Sequence, residues 1–290
     1  MRSLPTPDCA TIADPWTSFW CNAGIDGCTQ GLPPALRSAI SRHWQQLFAA
    51  LRPDATLLDI GCGRGAVLAH ARDAGLTGLQ GFDVAPIADT PFPLRVGDAA
   101  ALPFADRSYA VVTSQFGIEY AGFAAAVAEA GRVAADRLAL VVHAADGPLH
   151  ADAIEQVAQI AWLTGPMAAF DRLAAHFAAS SPASVADIDA LRAAIVDHAA
   201  SAGNTSLLEG VWSAISALQD VPDPIGGTRT LAVSVAAHSA RLQAMVAAAP
   251  TAADVDDAAG HLRAAGFDTV VDGVGTPPAA RWLLATRRPT

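Results

Sequence analysis

The sequence predicts an α/β fold: a doubly wound, mostly parallel sheet that ends in an antiparallel strand and carries a long helical insertion. Three observations point there. Apolar runs of strand length alternate with helical periodicity from about residue 55 to 144, the pattern of a parallel sheet with helices on its faces. From 147 to 248 only helical patterning appears. After Pro250-Thr251 the first pattern returns and closes on two strands so near in sequence that they must run antiparallel.

Residues 1–32 read as irregular, with Pro5, Pro7, Pro15, Gly24, Gly27 and Gly31. Within them Trp16, Phe19 and Trp20 recur at helical spacing, either as a hydrophobic plug or as an aromatic lid over a cofactor. Pro33-Pro34 opens a helix to about residue 51, with Leu36, Ile40, Trp44, Leu47 and Phe48 on one stripe. Strand one covers 55–60 and its helix 64–73, ended by Gly75. Strand two is 78–84, strand three 94–96 and strand four 109–114. A helix follows over 123–133. Strand five, 138–144, is almost wholly apolar and so belongs at the centre, buried on both faces. The helical stretch 147–248 breaks at Gly165-Pro166, Ser180–Pro182, Gly203-Asn204 and 222–227. A last helix over 252–265 leads to strands at 269–274 and 281–285, joined through Gly275 and Pro277-Pro278. The chain thus divides into an N-terminal segment (1–32), a core (33–146 and 249–290) and a helical insertion (147–248).

With 290 residues, 52% of them hydrophobic, the chain can bury a sizeable core. Its net charge is −10, and all 18 basic residues are arginine. An acidic surface without a basic run argues against a large nucleic-acid footprint. No secretory signal precedes the core, since the opening residues lack an apolar stretch. The best membrane-span candidate, 231–249, is interrupted by His238 and Arg241, so no membrane role is expected. Cys9, Cys21, Cys28 and Cys62 read as free thiols of a cytoplasmic protein, with no metal site. His150, His176, His198 and His238 are too scattered to suggest one.

Function concentrates at Gly61-Cys62-Gly63-Arg64-Gly65, directly after strand one. A glycine turn lets backbone approach a ligand and aims N–H groups at it. The turn alone fits a nicotinamide dinucleotide as well. Three acids narrow the choice. Asp59, before the turn, suits a cofactor carrying a positive group and offers nothing to a pyrophosphate. Asp83, ending strand two, can accept from ribose hydroxyls. Asp98, after strand three, can accept from an adenine amine, with Ala99 leaving room for the ring.

These motifs resemble the class I S-adenosylmethionine-dependent methyltransferases, specifically their type 11-like domain. The resemblance rests on 57–65, Gly81-Phe82-Asp83-Val84, Gly97-Asp98-Ala99 with Leu102-Pro103-Phe104, the run from Phe104 into strand four, and the antiparallel last strand. It implies a Rossmann-like, seven-stranded sheet. It implies S-adenosylmethionine as donor and S-adenosylhomocysteine as product. Gly61, Cys62, Gly63 and Gly65 would run beside the methionyl part and ribose, and Asp59 would orient the amino group. Asp83 and Val84 would meet the ribose side, Asp98 and Ala99 the adenine, and Gln115 and Phe116 the sulfonium end. Trp16 and Trp20 are the lid candidates. For a protonated acceptor, His143, Glu119 and Tyr120 are the candidate catalytic side chains, with packing and pocket-shaping as their alternative roles. The family's Asn/Asp-Pro-Pro-aromatic motif is replaced by Ser114-Gln115-Phe116-Gly117. The expected activity is methyl transfer to oxygen or nitrogen of a small molecule, with the insertion as acceptor lid or homodimer face. The rival readings are a protein or RNA methyltransferase, an NAD-dependent oxidoreductase, and a non-catalytic binding scaffold.

Overall fold

The computed structural model describes residues 15–179 and 181–289, so the expectations for residues 1–14, Cys9 included, and for Ser180 lie outside the described residues. The chain forms two compact units: Trp16–Ala151 with Ala244–Thr290, and Asp152–Gln243.

The larger unit is built on a seven-stranded sheet. Its strands are β1 (Thr56–Ile60), β2 (Gly78–Asp83), β3 (Leu94–Val96), β4 (Tyr109–Gln115), β5 (Ala134–His143), β6 (Phe267–Val274) and β7 (Ala280–Arg287). Their order across the sheet is β3-β2-β1-β4-β5-β7-β6, and β7 alone runs against the rest. This is the Rossmann-like, mostly parallel seven-stranded sheet with an antiparallel last strand that the motifs imply.

Helices α1 (Pro15–Asn22), α2 (Pro34–Ala49), α3 (Ala66–Asp73), α4 (Phe123–Val133) and α10 (Ala252–Ala264) belong to this unit. Alternation along the strands sorts the core into two faces. Leu58, Ile60, Val112, Leu138, Leu140 and Val142 pack with α4 and α10. Leu57, Val111, Ala139 and Val141 pack with Trp44, Phe48 and Leu68 of α2 and α3. Leu138 through Val142 are fully buried, as a central strand requires.

β5 begins four residues before the apolar run that betrays it. Ala134 pairs with Tyr109 and Arg137 with both Val111 and Thr286, so ladder bonds extend the strand through polar positions. Residues 15–22, read as irregular, are helical, because the aromatic spacing prevails over the flanking prolines and glycines.

The smaller unit holds α6 (Ala169–Ala178), α7 (Pro182–Ala200) and α8 (Ser206–Ala217), together with most of α5 (Pro148–Thr164) and α9 (Pro224–Ala248). Its core gathers Ile160, Leu163, Leu173, Leu191, Ile195, Val211 and Val235. The break expected through residue 227 ends at Pro224, and Gly226 and Gly227 lie in the first turn of α9. Contrary to the expectation above, α9 is long and apolar enough to cross a membrane, its best stretch reaching a mean hydropathy of 1.2. Alanine and valine from 231 to 237 outweigh the few charges that the sequence reading weighed.

Candidate functional site at the carboxyl edge of the sheet

The glycine turn leaves β1 at the carboxyl edge, where ligands of open α/β sheets bind. Gly61, Gly63 and Gly65 take φ of +63°, +52° and +94°, conformations that side chains resist. At Gly61 space adds a second demand: a Cβ there would lie 2.7 Å from Cα of Gly117, in the loop after β4.

Asp83 shapes this turn from β2. Its Oδ2 accepts the Gly63 N–H at 2.8 Å and its Oδ1 the Ala85 N–H at 2.9 Å. A carboxylate has about four acceptor positions, so such a role and a ribose contact are compatible.

Asp59 is 1% exposed and receives the Thr113 hydroxyl at 2.9 Å. Burial lifts its carboxyl to about 8, with the Thr113 bond pulling the other way and the Asp83 charge pushing further up. Burial likewise raises the Cys62 thiol, which is packed against Gly81 as a small filler. Gln115 accepts the Trp44 indole N–H at 2.6 Å and lines the same hollow as Asp59 and Gly61. At the ends of β2 and β3, Val84 is 65% exposed and Ala99 is buried. Asp98 is exposed and accepts the Ala100 N–H of its own turn at 2.9 Å.

Helix α1 and the turns after it sit on this loop. The Trp20 indole is buried against Gly63, where any Cβ would run into the ring. It also packs on Ala85 and Ile87. The Trp20 carbonyl accepts Nε of Arg64 at 3.0 Å, pinning α1 to the turn. The hollow between Trp20, Ile25, Cys28, Asp59 and Gln115 has a volume of about 10 Å³, too little for a nucleoside.

Beyond β4 a second group converges. Ser114 donates to the Ile60 carbonyl at 2.7 Å and accepts the Ile118 N–H at 3.0 Å, anchoring a single 3-10 turn, Ile118–Ala121. That turn carries Glu119, whose side chain is fully buried. Glu119 Oε1 accepts the His143 backbone N–H at 3.2 Å and lies 2.8 Å from His143 Nδ1. The carboxylate therefore holds the ring with its proton on Nδ1 and its lone pair on Nε2. Glu119 Oε2 is buried and meets no hydrogen-bond donor.

Phe116 has φ +54°, unusual for an aromatic residue, and its ring lies 4.3 Å from the His143 ring. Tyr120 stands 6.4 Å from His143 and Trp16 stands edge-on to Tyr120 at 4.7 Å. Burial, and then the Glu119 charge, raise the Tyr120 hydroxyl well above its ordinary value.

All the sequence-derived site residues lie at this edge, in two groups. Asp59, Gly61, Cys62, Gly63, Gly65, Asp83 and Gln115 surround the turn, with Val84, Asp98 and Ala99 at the strand ends beside it. Phe116, Glu119, Tyr120 and His143 form the other group, with Trp20 over the first and Trp16 over the second. Sequence reasoning missed Thr113, Ser114, Gly117 and Arg64. Gly117 alone left a signal, a second glycine just past a strand.

A separate cavity of about 290 Å³ lies between α4 and α10, lined by Arg107, Arg132, His261 and Arg287. Arg287 is spent on the carbonyls of Gly131, Ala134, Ala135 and Ala265, and Arg132 on Glu129 and Asp106. Among the described residues, no cluster of three or more His, Cys, Asp or Glu could hold a metal ion.

Residues 58–140 match the family model of the methyltransferase domain. No curated protein sequence matches the chain. A solved structure from Bacillus halodurans, provisionally described as a methyltransferase, is 26% identical over 36% of this chain and 51% of its own, with a TM-score of 0.32. An S-adenosylmethionine-dependent methyltransferase of Thermotoga maritima is 13% identical over 87% of this chain and 91% of its own, with a TM-score of 0.43. A Rhodobacter sphaeroides protein bearing the name zinc-dependent alcohol dehydrogenase is 13% identical over 96% of this chain and 100% of its own, with a TM-score of 0.49. The chain thus spans about half the length of the Bacillus protein. At such scores neither the methyltransferase names nor the dehydrogenase name carries an argument about activity. The methyltransferase-domain match takes in the glycine turn, Asp83, Asp98, Gln115 and Glu119, and ends before His143.

Proposed function

We propose that this methyltransferase domain passes a methyl group from S-adenosylmethionine to oxygen or nitrogen of a small-molecule acceptor. The observation that carries the reading is the Glu119–His143 pair, at 2.8 Å, at the carboxyl end of β5 and beside the loop that would hold the donor.

The residues around the glycine turn fit such a donor. Three glycines leave the turn without side chains, and a buried acid lifted to about 8 lies beneath it. An ammonium group close to Asp59 would favour its ionised form and so be recognised by it. Asp83 would hold the ribose hydroxyls while shaping the turn. Val84 would lie with Asp83 on the ribose side, Asp98 and Ala99 would border the adenine, and Gln115 and Phe116 the sulfonium end. When bound, the donor supplies a methyl group on a positive sulfur, open to in-line attack.

On the acceptor side, Nε2 of His143 would take the proton that the acceptor loses. Glu119, bonded to Nδ1, fixes the tautomer and stabilises the imidazolium that forms, as the carboxylate does in other acid–histidine pairs. Trp16 would exclude water once both substrates are in place.

Thermal melting with S-adenosylmethionine, S-adenosylhomocysteine and NAD tests the donor. A ligand of the native state at about 100 times its Kd adds about 2.7 kcal/mol. The two sulfur compounds should raise Tm and NAD should not; stabilisation by NAD alone would sink the reading. Donor binding with no transfer from methyl-labelled donor to any small metabolite would favour a macromolecular acceptor or a binding scaffold.

A further inference from the structure

The acceptor side contains a buried carboxylate that its neighbours leave half satisfied. Glu119 is fully buried, and His143 supplies both of its hydrogen bonds, through Nδ1 and the backbone N–H, to Oε1. Oε2 has no donor. A buried carboxylate oxygen without a partner costs several kcal/mol in principle, and such a group persists where a ligand completes it. No arginine pairs with Glu119 among the described residues, and the chain has no lysine at all.

Aromatic rings gather on the His143 side of the pair. Phe116 is held in a left-handed conformation with its ring on His143, and Tyr120 and Trp16 stack edge to face beside it. Ring faces attract cations, and together with a carboxylate they form a recognition device for substituted ammonium groups. A hydroxyl offers a single donor, enough for Oε2 alone. An ammonium group offers several N–H donors and a positive charge, enough to meet Oε2 and Nε2 together.

We infer that the acceptor is an amine that enters as its ammonium form, with Glu119 as the specificity-determining carboxylate and Phe116, Tyr120 and Trp16 as the walls around it. The inference rests on the methyl-transfer reading above. The proton passes from the acceptor nitrogen to Nε2 of His143. The freed nitrogen pair forms the new N–C bond, the C–S bond breaks, and its electron pair stays on sulfur as a neutral thioether. His143 then returns its proton to solvent.

Calorimetric titration of the protein loaded with S-adenosylhomocysteine tests this, using phenethylammonium and 2-phenylethanol, which share a frame and differ in the polar group. The ammonium should bind about 10-fold tighter or more. Glu119→Gln, which keeps the shape and removes the charge, should bring the two within about twofold. Should that variant fail to fold, Trp16→Leu gives the same information at the aromatic wall, expected to cut the preference several-fold. Equal binding of the two probes, tighter binding of the alcohol, or binding of neither to the loaded protein overturns the inference and leaves the donor reading intact. Failure of S-adenosylhomocysteine itself to bind overturns both.

Discussion

On the side of the carboxyl edge proposed for the donor, the surface is mostly backbone. Gly61, Gly63 and Gly65 occur within five residues, and the acid that braces them, Asp83, ends β2. On the acceptor side the working groups are side chains drawn from separate elements: Glu119 from the turn after β4, His143 from the end of β5, Trp16 from α1. The donor side solves one problem, a fixed nucleoside, with local geometry. The acceptor side is assembled by the fold, and its polar groups lie 24 residues apart. The contrast teaches that donor binding and methyl transfer should fail separately when each side is damaged.

The sharpest break is His143→Ala. Positioned general bases contribute about 10²–10⁴-fold, and the rate should fall within that range. Affinity for S-adenosylhomocysteine, measured by calorimetry, should hold within about twofold, because His143 contributes nothing to the glycine turn. A loss of donor affinity equal to the loss of rate would dissolve the distinction between the two sides.

Asp83→Ala strikes the other side. It removes the acceptor of the Gly63 and Ala85 N–H groups, and with it the ribose contact proposed above. Each such charge-assisted bond is worth about 1.5–3 kcal/mol, so donor Kd should rise at least tenfold. Asp83→Asn should recover part of it, since one amide oxygen still accepts. Unchanged donor affinity in Asp83→Ala would remove Asp83 from the binding site.

The same contrast explains what could be read in the sequence. Strand alternation, the glycine turn and the acids at strand ends are local patterns, and so is the antiparallel terminal pair; the order of strands across the sheet is not, and only the structure gives it. The start of β5 was not legible, because Arg137 is held by ladder pairing, with Val111 and Thr286, that its polarity hides. Glu119 and His143 were visible singly as residues after strands, yet their pairing depends on how the loop after β4 folds back. Ser114 and Gly117 make that loop, and neither residue type announces such a role. In α9, the sequence reading weighed His238 and Arg241 above the length and apolar composition that make the helix long and apolar enough to cross a membrane.

Asp59 should make donor affinity depend on pH. Its carboxyl, lifted to about 8 by burial, holds a proton in the folded state that the unfolded chain releases near 3.8. The fold therefore loses stability as pH rises from about 4 to about 8, where the native state binds more protons than the unfolded one. Binding of a positive group beside Asp59 favours the ionised form and expels that proton. Donor affinity should then rise up to about tenfold per pH unit between about pH 6 and pH 8. Asp59→Asn should flatten the slope and be less sensitive to alkaline loss of stability. A pH-independent Kd in the unaltered protein would place the donor's ammonium elsewhere.

Trp20 yields the smallest effect and the most informative sign. Its indole lies on Gly63, Ala85 and Ile87, and Arg64 holds its carbonyl. The hollow beneath is about 10 Å³, so a donor bound in the place proposed would require α1 to lift. If the donor then takes the place of the ring, Trp20 competes with it, and the apparent Kd is the intrinsic one divided by the open fraction. Trp20→Ala should in that case speed association and tighten binding, by about tenfold if the strap is open a tenth of the time. If the ring instead closes over a bound donor, the same variant should weaken binding and quicken dissociation. Stopped-flow fluorescence of S-adenosylhomocysteine binding, with signal from the remaining tryptophans, separates the two. The contact with bare backbone at Gly63 favours competition, because that surface is the one a ribose beside Asp83 would need.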